Sequence, residues 1–433
     1  MSPARTRWFS HQPNVTGRGV LAGYSLRFWG LVIALGLATG AAGSLLMEIL
    51  KLVERASWSF HSGTFLQAVK AAPAWRHLAI LAGAALVVSL GVLVLRRLPS
   101  SGGTGEIPDS LWLHEARLSF RRSVTRGLLS IVTVGMGVSL GREAGPQLAG
   151  AATASRLAEW ASLPLWQRRL LVASGAGAGM AAVYNVPLGG ALFALEVLLG
   201  TLALPLVLPA LLTSLTATAV AWITLGTHPT YLVPTYGVHA SQIVWAALMG
   251  PLAGAAAVIW VRLISRANGL KPRGWGRFVA PAIIFTALGL VSIQYPQLLG
   301  NGSDVVQLVS VGGISLGLLA ILSALKPLAT ALCLGSGASG GLFTPTLTVG
   351  ILLAGVTGTA WSHLWPGAAE GGFALIGGGA FLAAAMQGPL SSVVLVLELT
   401  RSTDALMVPT LLAIVGATVV ARRFGAHSIY SAR

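Results

Sequence analysis

The sequence predicts an all-α integral membrane protein made of two repeated halves with broken helices. Three observations predict it: a composition too apolar for water, long apolar runs interrupted by glycine and proline, and an internal repeat. Of 433 residues, 55% are hydrophobic and 9% are charged, whereas a soluble domain carries about 25% charged residues. Such a chain cannot keep water around its surface, so lipid is the solvent over most of it. The 54 glycines point the same way, because small residues in apolar segments let helix backbones approach closely.

Charge sharpens the class. Lys and Arg number 28 against 12 Asp and Glu, a formal net charge of +16. A basic balance of this size can mark a nucleic-acid binder, but here the basic residues sit in short clusters between apolar runs. Arg96-Arg97, Arg121-Arg122, Arg168-Arg169, Lys271 to Arg277 and Arg422-Arg423 read as loop anchors under the positive-inside rule. Nucleic acid is therefore not an expected partner; membrane lipid is. Such charges also draw anions toward a pore mouth. A single cysteine, Cys333, rules out an intrachain disulfide framework, and its apolar setting reads as core. The basic stretch 1–24 lacks a short apolar segment with a small-residue cleavage site, which argues against a removed signal peptide. Both termini are expected in the cytoplasm, with the chain crossing the cell (inner) membrane many times and carrying no appended regulatory domain.

Apolar runs recur at 28–50, 77–95, 127–141, 170–199, 202–225, 242–262, 278–294, 313–334, 346–364, 372–399 and 404–421. Some are too long for one span of about 20 residues and some too short. Tilted helices, hairpins and half-helices fit better than a regular bundle. Non-helical backbone at membrane depth is tolerated only where protein buries it or a watery cavity lines it, so the breaks themselves point to a permeation path.

The repeat is explicit. GAGAGMAAVYNVPLGGALFALE (175–196) and GGGAFLAAAMQGPLSSVVLVLE (377–398) align without gaps at an offset of 202 residues, from Glu196 to Glu398. Gly175, Gly177, Ala178, Ala181, Ala182, Pro187, Leu188, Leu195 and Glu196 all have identical counterparts. Upstream, Pro146 in GREAGPQ and Pro345 in GGLFTPT lie 199 residues apart. The chain therefore divides into a segment 1–24, a first membrane repeat 25–225 and a second 226–433.

Three glycine-rich polar segments interrupt the apolar sequence: SSGGTGEIP (100–108), GREAGPQ (141–147) and GSGASGGLFTP (335–345). Each precedes a stretch suited to start a helix, with proline near the first turn. A helix N-terminus exposes unpaired N–H groups and about half a positive charge, and glycine lets an ion approach that backbone closely. Converging ends of this kind make an anion site without a formal cation, from which the ion can also leave. For any one segment a tight turn between spans is the plainer reading; three of them with a repeat favour the site.

Together with IYSAR near the C-terminus, these segments resemble the signature regions of the CLC chloride channel and transporter family, and the likeness covers nearly all of the chain from about residue 25. The resemblance implies two inverted-topology repeats meeting at a central anion pathway, a homodimer, and transport of chloride and similar small anions with proton counter-transport or as an uncoupled channel. It makes Glu143 of GRE the gating glutamate, a tethered competitor for the anion, with Arg142 beside it as an anion-binding residue. Anion contacts fall to the backbone of Gly341, Leu342 and Phe343 and to the hydroxyl of Tyr430. A hydroxyl donor is implied at Thr104 counting from the first glycine of GTGEIP, or the position falls on Gly105 counting back from Pro108. Glu106 is an added acid beside that path, and nothing in the sequence explains it. The internal proton-relay position falls on Val197, which carries no proton, next to Glu196, whose repeat counterpart Glu398 makes a structural carboxylate the plainer reading. Lys326 inside an apolar run reads either as functional or as paired with a carbonyl.

A different class deserves weighing. Gly337-Ala338-Ser339-Gly340-Gly341 fits the G-x-S-x-G pattern of serine hydrolases, which would mean an intramembrane hydrolase using His363 or His427 as base. The pattern is weak in a glycine-rich chain, and neither histidine sits in a motif. No HExxH and no P-loop is present, so no metal, cofactor or nucleotide is expected, and the chain reads as a transporter rather than an enzyme.

Overall fold

The computed structural model describes residues 24–60, 62–98, 107–237, 239–401 and 406–431. They form seventeen α-helices and no strand. In chain order these are α1 (Leu26–Trp58), α2 (Phe65–Ala71), α3 (Ala74–Arg97), α4 (Ile107–Leu113), α5 (Phe120–Gly135), α6 (Ala144–Trp160), α7 (Leu165–Tyr184) and α8 (Pro187–Leu192), which runs on as a π-helical turn, Phe193–Leu199. There follow α9 (Leu204–Leu225), α10 (Ala240–Gly269), α11 (Gly276–Gln294), a 3-10 turn (Pro296–Leu298), α12 (Ser303–Ser310), α13 (Leu316–Gly335), α14 (Phe343–Leu364), α15 (Glu370–Met386), α16 (Pro389–Thr400) and α17 (Met407–Arg423). Seven of them, α1, α3, α9, α10, α11, α13 and α14, are long and apolar enough to cross a membrane. Large aliphatic side chains stand exposed along these spans, among them Ile223, Ile259 and Leu290. That is the surface a lipid solvent requires.

The chain forms two compact units that interleave along the sequence. One takes the described residues up to Met47, then Leu95–Leu128 and Gly145–His228; the other takes Glu48–Val94, Leu129–Ala144 and Pro229 onward. Each has the same kind of close helix crossing inside it. In the first, Gly36 and Gly40 of α1 lie against Thr213 and Ala217 of α9, where an added Cβ would meet the facing backbone carbonyls. In the second, Gly250 and Gly254 of α10 lie in the same way against Ala413 and Ala417 of α17. Small residues four apart let two backbones touch, and this substitutes for the hydrophobic drive that lipid cannot supply.

The apolar runs 170–199 and 372–399 are each two helices. In the first, α7 ends at Asn185 (φ 56), and Pro187 opens α8. In the second, α15 ends at Gln387 (φ 57), and Pro389 opens α16. The closing bonds match as well: Val186 N–H donates to the Ala181 carbonyl, and Gly388 N–H to that of Ala383. Every one of these positions is displaced by the sequence offset. Proline cannot continue the i→i−4 ladder, and a left-handed residue before it turns the chain. Past the break the copies differ, because the first enters the π-helical turn while the second stays α-helical to Thr400.

Two features of α13 fix the segments around it. Lys326, 1% exposed, donates from Nζ to the carbonyls of Leu298 (2.9 Å) and Gly300 (3.1 Å). Of the two roles open to it, carbonyl pairing is the one observed: the ammonium holds the turn after the 3-10 segment, whose carbonyls lack helical partners. Cys333 is fully buried, as a core residue should be. Lys326→Met keeps the volume but removes both charge-assisted bonds and leaves buried carbonyls unmet, each worth about 1–3 kcal/mol. A marked fall in the thermal unfolding midpoint in detergent is expected, and an unchanged midpoint would show the turn to be held by something else.

Candidate functional site

Glu143 is the last residue of a non-helical segment between α5 and α6 that is held from several directions. Ser139 Oγ and Thr330 Oγ1 of α13 are 3.2 Å apart, and Gly300 N–H donates to the Gly137 carbonyl. Gly141 then exchanges two backbone bonds with Gly341: its N–H donates to the Gly341 carbonyl at 2.8 Å and its carbonyl accepts from the Gly341 N–H at 2.7 Å. This antiparallel bridge lies just before the start of α14.

That start is built to receive a negative charge. Leu342, at the N-cap, has φ −124 and ψ 0 and makes no side-chain cap bond. The first helical N–H, that of Phe343, instead donates to Glu143 Oε1 at 2.6 Å. Such a short length is typical of a charge-assisted bond, and the helix dipole favours a negative group at this end. The Glu143 side chain is fully buried. Gly141 and Gly341 flank its carboxylate so closely that a Cβ on either would overlap it. Neither glycine has positive φ, so the need for glycine here is steric, not conformational. A buried carboxylate thus rests in a cradle made of two Cα atoms and a helix N-terminus. What fits there is a small anionic group with little shape of its own.

The remaining sequence-derived positions distribute as follows. Gly341, Leu342 and Phe343 meet Glu143 directly. Arg142 lines a neighbouring polar cavity of about 140 Å³ together with Glu54 and Asp304. Tyr430 lies half-buried on the segment after α17, which docks through Ile429 N–H on the Ala385 carbonyl in the last turn of α15. Val197 is buried and Glu196 half-buried in the π-helical turn. Such turns recur at functional sites. Thr104, Gly105 and Glu106 lie outside the described residues. Ser339 of the G-x-S-x-G pattern leads into the cradle rather than into a strand-to-helix elbow, and His363 is in the last turn of α14. Among the described residues no group of three or more His, Cys, Asp and Glu is arranged to hold a metal ion. Sequence reasoning missed Gly141 as a wall of the site. Its signal was available, because Gly141 and Gly341 precede the two prolines at like distances.

Residues 83–422 match the family described as voltage gated chloride channel. The chain belongs to that family. It is 32% identical over 376 residues to a ClcB-like protein of Ralstonia nicotianae, an alignment covering 84% of this chain and 86% of that one. It is 30% identical over 367 residues to the H(+)/Cl(-) exchange transporter ClcA of Yersinia pestis bv. Antiqua, covering 80% and 76%. Two solved structures share the fold: a slow cyanobacterial Cl-/H+ antiporter (TM-score 0.82, 21% identity, 94% of this chain and 97% of that chain) and a CLC-type fluoride/proton antiporter (TM-score 0.77, 19% identity, 96% and 99%). The expected all-α membrane fold of this family is therefore the fold observed, and the family is one of transporters and channels.

Proposed function

We propose that the protein moves chloride and similar small anions across the cell membrane in exchange for protons, with Glu143 as the gate. One observation carries the reading. The Glu143 carboxylate sits on the Phe343 N–H between Gly141 and Gly341, where a bare anion would find the same donor and the same walls. Carboxylate and chloride compete for one place. Protonation removes the charge that holds Glu143 there, the side chain leaves the cradle, and an anion takes the position. Because the donors are backbone groups and a dipole end rather than a lysine or arginine, the ion is held loosely enough to move on. The names of the relatives, exchangers of chloride or fluoride for protons among them, support the substrate class and the coupling. We read the functional unit as a homodimer with one pathway per chain.

An uncoupled chloride channel is the second reading, and Val197 favours it, since valine at the relay position transfers no proton. Purified protein in liposomes under opposed chloride and pH gradients decides between the two. Protons driven uphill by chloride establish the exchanger and a proton route that does not use residue 197. Chloride flux that leaves the proton gradient untouched makes it a channel, and absence of anion flux overturns both readings.

A further inference from the structure

The cavity beside Arg142 has no part in the gate as described, yet its lining is unusual for a protein interior. Glu54 from near the end of α1 and Asp304 from the first turn of α12 meet there with Arg142, Gln297 and Ser303. Gln297 is 7% exposed, and its Oε1 has no hydrogen-bond partner among the described residues. A buried polar atom of that kind in a roomy polar cavity calls for water, and about 140 Å³ is room for several molecules. One Asp304 oxygen accepts the Leu66 N–H at 2.7 Å, which fixes the carboxylate at the wall. Burial raises the Asp304 carboxyl above its ordinary range, against the downward pull of the Leu66 N–H and Arg142. The charged groups facing Glu54 are Arg142, Asp304, Lys51 and Arg55.

Tyr231 stands near both this cavity and the gate. Its side chain is 1% exposed and its backbone is fixed by a bond from its N–H to the Leu399 carbonyl. The hydroxyl stands near Ser303 on the cavity wall, with Arg142, Glu143 and Asp304 close by, and neither it nor Ser303 Oγ has a hydrogen-bond partner among the described residues. A phenol so placed can donate a proton to one neighbour while accepting from another.

We propose that this cavity is a hydrated proton-holding chamber, in which Glu54 and Asp304 bind protons and pass them through water and the Tyr231 hydroxyl to Glu143. The proposal rests on the gate reading of Glu143. Each transfer moves one proton from a neutral carboxyl of the chamber to the ionised carboxylate of Glu143; only O–H bonds break and form. α1 carries Glu54 at the end opposite the N-terminus, so with the N-terminus in the cytoplasm the chamber serves the external side. A second function follows from the charges. While ionised, the two acids offset Arg142, and without them the guanidinium beside Glu143 favours its charged form.

Chloride efflux from liposomes, measured against external pH and after a rapid pH drop, tests this. In the unaltered protein flux should rise as pH falls. Glu54→Gln with Asp304→Asn, which keeps an acceptor for Leu66, should move half-activation to a pH lower by about one unit, a tenfold higher proton concentration. Tyr231→Phe changes no charge and should slow the response to the pH drop severalfold. Glu143→Gln should run without pH dependence. A double-variant curve superimposable on the parent, with Glu143→Gln pH-independent, overturns the chamber alone. A shifted midpoint with an unslowed Tyr231→Phe variant overturns the relay, leaving the acids acting by charge. A pH response retained in Glu143→Gln, or missing from the parent, overturns the gate reading and the chamber with it.

Discussion

Glu143→Ala is expected to abolish proton movement coupled to chloride and to leave an anion flux that no longer varies with pH. The carboxylate rests on the Phe343 N–H at the head of α14. Removing it leaves the donor and the glycine walls intact, so the cradle passes to chloride permanently. Chloride binding measured by calorimetry should tighten, because no tethered competitor remains. Glutamine is the subtler test: its amide oxygen can still accept the Phe343 N–H, but without charge the bond drops from the strong class to the ordinary one. A smaller gain in chloride binding is expected for glutamine than for alanine. Coupled proton movement surviving in either variant would remove Glu143 from the gate.

The second large effect is expected at Gly341. A methyl group there would overlap the Glu143 side chain from Cγ to the carboxylate oxygen. Since Gly341 does not use positive φ, alanine suits its backbone, and the reciprocal bonds with Gly141 have no cause to break. Gly341→Ala should therefore fold, yet exclude both carboxylate and chloride from the cradle. Chloride flux should fall by roughly tenfold or more, the equivalent of about 1.4 kcal/mol, with thermal stability close to that of the parent. Flux at the parent rate would mean that the anion does not pass between Gly141 and Gly341. A lost fold would instead appear directly as aggregation on gel filtration, and Gly141→Ala, which meets the carboxylate from the opposite wall, then carries the test.

Much of this was legible in the sequence, for reasons particular to each part. The helix breaks were announced by Pro187 and Pro389, whose chemistry acts locally, and the structure repeats them at the sequence offset. GRE and GGLFTP marked the cradle because a helix start needs a recognisable sequence. The left-handed Gln387 was not legible, since glutamine has no special affinity for that region; Asn185 at the equivalent place does. The run 127–141 looked like one apolar element, yet α5 ends at Gly135 and the rest is non-helical; Gly137 (φ 103) turns the chain there. The π-helical turn at Phe193–Leu199 left no trace in the repeat, which aligns there with an ordinary helix. The polar cavity was invisible because its acids are far apart in the chain: Leu66 and Asp304, bonded at its wall, are separated by 238 positions. No periodicity or motif reports a meeting that only tertiary packing creates.

The donor and the walls of the cradle are backbone, and Glu143 is the side chain they receive. Its donor is an amide, its walls are α-carbons, and its shape follows from a two-bond bridge. Most mutations change side chains, so drift through the surrounding sequence leaves such a pocket untouched, and relatives sharing a third of their residues can inherit the same one intact. The corollary is a narrow evolutionary repertoire. A lineage cannot retune this pocket by small substitutions inside it, and altered ion preference has to arise from what flanks it or from how readily residue 143 departs.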